Sequence, residues 1–219
     1  MNPTNTWWSW DHAFAVLPDL LLQGFRMTLL ATVLGTLIAL VLGLIVAIIR
    51  RSAPAIIATP FTWVVEFIRM TPLVVQLVFA NLVLSPYVDS TLAIGIWVLG
   101  IHYMTYMAEV YRAGIDSVPT GQWEAATALS LPQSRTWRAV VIPQAIRNTL
   151  PALGNYAISM FKETPFLVVI YIPEIVRVAQ QYGSTHFRYT EAITLAGLIF
   201  LAASYPTSLL IRKLEKKLA

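Results

Sequence analysis

The chain has 219 residues, 57% of them apolar and only 12% charged, with a mean hydropathy of +0.67 and a formal net charge of +4. A soluble domain carries about 25% charged and about 45–50% apolar residues, so a soluble enzyme with an ordinary solvated surface is excluded, and so is disorder. With no cysteine there are no disulfides, thiolate nucleophiles or Cys-type zinc sites, and the chain reads as an all-α, polytopic membrane protein forming one domain over residues 1–219.

Residues Met1 to Asp19 lack the basic start and small-residue cleavage site of a signal peptide. Trp7, Trp8 and Trp10 suit an outer interfacial belt, where indole rings sit at headgroup level; ligand stacking on these rings is the other reading. A crossing helix needs about 20 mostly apolar residues. Leu29 to Ile49 is the first such span, free of charge, with a start as early as Leu20. Phe61 to Leu84 is the second and carries Glu66 and Arg69; Leu92 to Val110 is the third and carries His102 and Glu109.

Arg112 to Asn148 is too polar to span. Thr120 or Gly121 can cap a helix running from Trp123 to Leu129, and with Gly121 as cap Glu124 meets the positive helix end. Ser130-Leu131-Pro132 breaks that helix, and a second short helix from Gln133 to Val141 ends before Pro143. Two short helices at a sharp turn, small on one side at Ala125 and Ala126, form a knob suited to a groove on another protein.

Leu150 to Ile172 is the fourth span, interrupted by Lys162 and Glu163. Pro173 to Gln181 has Ile175, Val176 and Ala179 at helical spacing and reads as a short helix on the membrane surface. Ala192 to Ile211 is the fifth span, again without charge. These runs are continuous, unlike the segments of roughly 10 alternating residues that build a transmembrane barrel.

Five spans put the termini on opposite sides. Arg50, Arg51, Arg112, Arg135, Arg138 and Arg147, with the C-terminal cluster Arg212, Lys213, Lys216 and Lys217, fall on one side of that alternation, against Arg177 and Arg188 on the other. The basic side is the cytoplasm, so the N-terminus lies outside and the C-terminus inside. The positive charge is thus a topology signal and not a nucleic-acid footprint.

Charge inside a span is costly and marks a functional candidate. Glu66 and Arg69, like Glu109 and Arg112, stand three apart on one helical face and can pair. Lys162 and Glu163 are adjacent and point about 100° apart, so one cannot satisfy the other. The plainer reading is mutual neutralisation within the bundle, which suits Glu109 and Arg112 near the cytoplasmic end. The other is a polar path lined by Glu66, Arg69, Lys162, Glu163 and Thr164, offering both signs to a zwitterionic solute. His102, alone in its span, reads as a satisfied core histidine. No catalytic constellation and no metal-ligand spacing stands out. The phosphate loop GxxxxGK[ST] is missing too, so this chain is not itself an ATPase.

Glu124-Ala125-Ala126, followed by Ser130 and then Val140-Val141-Ile142-Pro143, resembles the EAA loop of ABC importer permeases, with Ser130 where the family usually has glycine and Ile142 where it has leucine. Arg69-Met70-Thr71-Pro72-Leu73-Val74-Val75-Gln76 resembles the "RGTPLLVQ" stretch of the polar-amino-acid branch, Ala108 to Ile115 its "AEIFRGGI", and Lys162-Glu163-Thr164-Pro165 its "KDTSL". Within that branch, Val64 to Arg69, Tyr106 to Arg112 and Phe161 to Pro165 look most like ectoine/hydroxyectoine uptake permeases.

The resemblance implies a MetI-like permease fold in the bacterial plasma (inner) membrane, whose cytoplasmic loop, about residues 112–148, couples to ATP hydrolysis through Gly121, Gln122, Glu124, Ala125, Ala126, Leu129, Ser130 and Pro143. It implies an ATP-binding subunit dimer carrying ATP and Mg, a second permease (a paralogue or a second copy) and an extracytoplasmic solute-binding protein, with no cofactor in this chain and no nucleic acid as partner. The expected cargo is ectoine or hydroxyectoine, the alternative a polar amino acid such as glutamine, arginine or histidine. A reading of a different class is an intramembrane enzyme using Glu66, Glu109 or Glu163 for acid–base chemistry.

The topology has a direct check. Single cysteines placed at Ser90 and at Gln133 in this cysteine-free chain are expected to react with impermeant reagent from opposite sides, Ser90 from outside; labelling of both from one side refutes the five-span alternation.

Overall fold

A computed structural model describes residues 7–218; Met1 to Thr6 of the segment without signal-peptide features, and Ala219, lie outside that range. Every regular element among the described residues is helical, as apolar runs require where the backbone has no water to bond. Helix α1 (Trp10–Asp19) passes through a π turn, Leu20–Phe25, into α2 (Arg26–Ser52). The resulting apolar run is 43 residues long, so the first span starts well before Leu29.

The second span is not one helix. α3 (Ala55–Met70) and α4 (Leu73–Leu84) meet at 106°. Pro72 supplies no N–H and pushes its predecessor out of the helical region; Thr71 accordingly sits at φ −95°, ψ 141°. Hydropathy sees only composition, which is apolar through the bend.

α5 (Thr91–Asp116) is held at its start by Ser90 Oγ, which accepts from the Ala93 N–H at 3.2 Å. It lies along α2 over most of its length and also packs on α4 and α8. The approach to α2 is close because the touching positions are small: a Cβ added at Gly100 would stand 2.6 Å from Ile38 Cγ2, and one at Gly43 3.0 Å from Met107 Cβ. Small residues at such crossings are how helices associate inside a bilayer, where no water drives them together. Leu77, Leu99, Tyr103, Met107, Met160 and Leu167 belong to the core that α5 organises.

α6 (Thr120–Ala128) forms the start of the polar segment, as expected in kind. The expected second short helix differs. α7 (Gln133–Arg135), a π turn (Thr136–Val141) and α8 (Ile142–Glu163) follow one another without a gap, so Pro143 does not end a helix but sits in the first turn of α8. The widened turn just before it accommodates the missing N–H. At its other end α8 stops at Glu163, and Thr164–Ile170, with Pro165 near its start, winds as a 3₁₀ helix closed by Tyr171 at φ 63°. The fourth span is therefore not helical to Ile172 as one rod. The short amphipathic helix is present as α9 (Ile175–His186), and α10 (Tyr189–Leu218) returns along the bundle.

Three helical runs are long and apolar enough to cross a membrane, Trp10–Ser52, Thr91–Asp116 and Tyr189–Lys217, and the bent α3–α4 pair makes a fourth. α8 carries Arg147, Lys162 and Glu163 among its 22 residues and falls short on composition.

α9 is anchored by a buried carboxylate. Glu174 is 0% exposed and caps the helix, accepting from the Val176 N–H at 2.8 Å and the Arg177 N–H at 2.6 Å. Beside it, Gly24 lets the π turn touch the α9 backbone: an added Cβ would stand 2.8 Å from Ile175 Cα. Burial lifts the Glu174 carboxyl from 4.5 to about 7, against the pull of its two backbone hydrogen bonds. The folded chain therefore binds more protons than the unfolded chain between pH 4.5 and 7, and this group's contribution to stability falls as pH rises through that window. The difference in Tm between wild type and Glu174→Gln in detergent is expected to shift in favour of the variant by the equivalent of about 1–3 kcal/mol from pH 4.5 to pH 8; a pH-independent difference contradicts it.

Candidate solute cleft and coupling knob

The bend between α3 and α4 interrupts the helical hydrogen-bond ladder, and the Thr71 hydroxyl and the Gln76 amide bond the carbonyls there. Gln76 Nε2 lies 2.7 Å from the Ile68 carbonyl, 3.1 Å from the Thr71 carbonyl and 2.7 Å from Thr71 Oγ1, its two protons shared among three acceptors. Its Oε1 is 3.1 Å from His102 Nδ1, which must then donate. His102 is 6% exposed and is the satisfied core histidine that its isolation in the sequence suggested.

Next to the bend, Arg69 Nη2 donates to Glu66 Oε2 at 3.0 Å, the expected pairing along one helix face. Arg69 then lines an open cleft of about 580 Å³ together with Tyr106, Glu109, Val110, Ala113 and Tyr156. Tyr106 and Tyr156 stack at 5.4 Å between ring centres, and Tyr103 meets Tyr156 edge-on at 6.4 Å. The Glu163 carboxylate lies against the Tyr103 hydroxyl and within electrostatic reach of Tyr106, which also feels Arg69. Arg69 and Glu163 thus stand at one group of tyrosines, and Glu66 joins them only through its pair with Arg69. Lys162 and Thr164 do not join them: Lys162 is exposed with no ion-pair partner among the described residues, and Thr164 is buried, its hydroxyl donating to the Phe161 carbonyl at 2.8 Å.

The far wall of the cleft belongs to an ionic chain joining the ends of α2 and α5. Glu109 Oε1 accepts from Arg50 Nη1 at 2.5 Å, and Oε2 from Arg112 Nε and Nη2 at 3.0 and 2.9 Å. Arg112 Nη1 reaches Asp116 Oδ2 at 3.1 Å, and Arg51 Nη1 reaches Asp116 Oδ1 at 2.5 Å. The Glu109–Arg112 pair expected from spacing is therefore half of a larger network. Arg50 also donates to Thr62 Oγ1 at 3.2 Å, and the Arg51 guanidinium stands 5.9 Å from the Trp137 ring centre.

Trp137 meets Trp123 edge-on at 5.4 Å, and that contact seats α6 on the π turn before α8. The helix is capped at Pro119, so Glu124 lies beyond the first turn and not at the dipole position that a Gly121 cap would give. The end of α6 explains the family's glycine: Ser130 is at φ 52°, with Leu131 N–H to the Ala126 carbonyl at 3.0 Å and Ser130 N–H to Thr127 at 2.9 Å, a Schellman ending. Ala126 is buried under the knob, while Gly121, Gln122, Glu124, Ala125, Leu129, Ser130 and Pro143 are exposed. Leu129 is 72% exposed, an apolar tip on a polar surface.

Sequence reasoning missed the cleft tyrosines and the Gln76 clamp. Tyr103 and Tyr106 share a face of α5 with His102 nearby, a polar stripe in an apolar span that could have been noticed; Tyr156 had no local signal.

Residues 19–219 match the family described as "Binding-protein-dependent transport system inner membrane component". The chain is 40% identical over 208 residues to a probable amino-acid ABC transporter permease protein, y4tG, of Sinorhizobium fredii, covering 94% of this chain and 90% of that one. It is 31% identical over 214 residues to the arginine transport system permease protein ArtQ of Bacillus subtilis, covering 93% of this chain and 95% of that one. A crystal structure of an amino acid ABC transporter with histidines superposes with a TM-score of 0.86 at 34% identity, over 92% of this chain and 94% of that one. The chain belongs to the binding-protein-dependent transport system inner membrane component family. It is a membrane permease component of an ABC transport system and not an enzyme.

The clamp can be tested on stability alone. Gln76→Leu leaves the Thr71 carbonyl and His102 Nδ1 unpaired, at about 1–3 kcal/mol for each buried group so orphaned, while the Ile68 carbonyl keeps the Thr71 N–H and hydroxyl. The variant is expected to lose several degrees of Tm, with His102→Phe adding little on top of it because the two share one interaction; fully additive losses contradict the clamp.

Proposed function

We propose that this permease is the membrane half-site of an ATP-driven importer for a polar, zwitterionic amino acid. The observation that carries the reading is the cleft itself: both signs of charge and stacked tyrosines line one opening between α3, α5 and α8. A zwitterion brings a carboxylate and an ammonium together. Arg69 offers a planar fork suited to a carboxylate, and Glu163 with Glu66 offers counter-charge to a cation. The named relatives are an arginine transport permease and a probable amino-acid permease, and the superposed structure is of an amino acid ABC transporter with histidines. Relatives named for amino acids and for arginine favour an amino acid over ectoine or hydroxyectoine as cargo.

In this reading five segments cross the bacterial inner membrane: α2, the bent α3–α4 pair, α5, α8 and α10. α8 qualifies despite its charges because Glu163 faces the cleft tyrosines instead of lipid. The N-terminus is outside and the C-terminus cytoplasmic, supported by the arginines gathered at the α6 end of the bundle. A second permease, a paralogue or another copy, closes the open side of the cleft. The ATP-binding pair, which holds ATP and Mg, grips the knob through Gly121, Gln122, Glu124, Ala125, Leu129, Ser130 and Pro143, with Ala126 packing it from beneath. The solute-binding protein delivers cargo at the α9 end.

Reconstituted with its partners in proteoliposomes, the transporter is expected to take up arginine, histidine or glutamine. Arg69→Gln and Glu163→Gln should each lower uptake about tenfold, the loss of one charge-assisted hydrogen bond, while basal ATP hydrolysis persists. A Glu66→Gln/Arg69→Gln double variant with wild-type Tm and full uptake would refute the role of the cleft and leave neutralisation as the pair's only purpose.

A further inference from the structure

We propose that the chain Arg50–Glu109–Arg112–Asp116–Arg51, ending on the Trp137 indole, relays solute occupancy of the cleft to the coupling knob, with Arg51 and Asp116 as its positioning residues. The proposal rests on the importer reading above and adds to it the route by which cleft and knob communicate.

Glu109 belongs to two structures at once. It lines the cleft beside Arg69 and Tyr106, and it is the hub of the network joining α2 to α5. Both of its oxygens are committed, one to Arg50 and one to Arg112. A solute ammonium arriving at this wall competes with the two guanidiniums for Glu109, which already accepts three N–H bonds. The two are not equally held. Arg50 is the more buried, at 13% side-chain exposure against 48% for Arg112, and is tied in addition to Thr62 on α3. Arg112 is the one released.

Released from Glu109, Arg112 has one anion within reach, Asp116, one turn along the same helix. That carboxylate already serves Arg51 through its other oxygen. Three guanidiniums share two carboxylates, so Arg112 taking Asp116 as a bidentate partner displaces Arg51. Arg51 in turn stands over Trp137, and Trp137 holds Trp123 of α6 edge-on. The network thus has two discrete arrangements: Arg112 divided between Glu109 and Asp116 with Arg51 engaged, or Arg112 wholly on Asp116 with Arg51 free to leave the indole. Two such arrangements, biased by a ligand at one end and read by a helix seat at the other, are what coupling requires. The Arg51–Asp116 bridge is 35% and 44% exposed. Exposed pairs of this kind add little to stability, so removing it tests communication without unfolding the bundle.

The test uses the complete transporter, both permeases, ATPase pair and binding protein, in proteoliposomes, with basal and solute-stimulated ATP hydrolysis measured for arginine, histidine and glutamine. Asp116→Asn and Arg51→Gln are expected to cut the stimulated component about fivefold or more, the usual lower bound for coupling between sites, with basal hydrolysis and Tm unchanged. Asp116→Glu, which keeps a carboxylate, should restore stimulation. Unchanged stimulation in Asp116→Asn overturns the relay, as does a parallel fall of basal and stimulated rates that Asp116→Glu does not rescue. If wild type shows no stimulation by any of the three probes, the importer reading itself fails for these solutes and the relay falls with it.

Discussion

A backbone group inside a bilayer has no water to turn to, and the architecture of this protein follows from how it meets that condition at its breaks. Three interruptions occur within the bundle, and each is answered by a local side chain. At Thr71–Pro72 the amide of Gln76 covers the carbonyls of Ile68 and Thr71 and is itself held by His102. At the end of α8 the Thr164 hydroxyl takes the Phe161 carbonyl. Ahead of α9 the Glu174 carboxylate takes two amide protons. Because the first break is satisfied from within, α4 can leave at 106° and Arg69 can stand at the head of a cleft instead of midway along a lipid-facing rod. Elsewhere in the bundle Pro18, Pro60, Pro151 and Pro206 lie inside helices that continue through them.

Much of this was legible in the sequence, and the part that was not has a physical reason. Hydropathy found α2, α5 and α10 because their apolar character is continuous, and the period of 3.6 found α9. The spacing of three placed Glu66 on Arg69 and Glu109 on Arg112 correctly, since local pairs depend only on helix geometry. Ser130 was visible as a departure from a glycine, and its φ of 52° shows what the glycine is for. By contrast, Thr71–Pro72 lies inside a window whose mean hydropathy reads as one span despite Glu66, Arg69 and Gln76, and a direction change of the axis leaves no mark on that mean. Pro143 reads as a stop in the sequence because the signal for proline in the first helical turn and for proline after a helix is the same residue; the π turn that decides between them has no sequence signature. Arg50 on Glu109 and Arg51 on Asp116 join residues far apart in the chain, which no window can see.

The cleft and the knob differ in how they are built, and the difference suits their work. The cleft is assembled from three separate helices, α3, α5 and α8, so its shape depends on tertiary packing and can change when those helices shift. The knob is local: one short helix, a Schellman turn and the start of α8, closed by a pair of indoles. It moves as a unit with whatever carries Trp137. The α2–α5 crossing is the most closely packed part, where Gly100 and Gly43 bring the helices into close contact. Close-packed crossings of small residues resist bending, so relative motion is directed to the ends of the bundle, where polar networks can exchange partners.

Burial sorts the arginines at that end into two kinds. Arg50, at 13% side-chain exposure and bonded to both Glu109 and Thr62, fastens α2 to α3 and α5 and has no alternative partner. Removing it would leave the Glu109 carboxylate to Arg112 alone and untie α2 from α3 and α5 at this point. Arg51 is the next residue in the same helix yet points elsewhere, to an exposed carboxylate and the face of an indole. An exposed ion pair and a cation over a ring are each weak and screened by salt. They hold the knob in place without locking it. Adjacent positions at the end of one helix must diverge by about 100°, and here that geometry separates a fixed joint from a movable one.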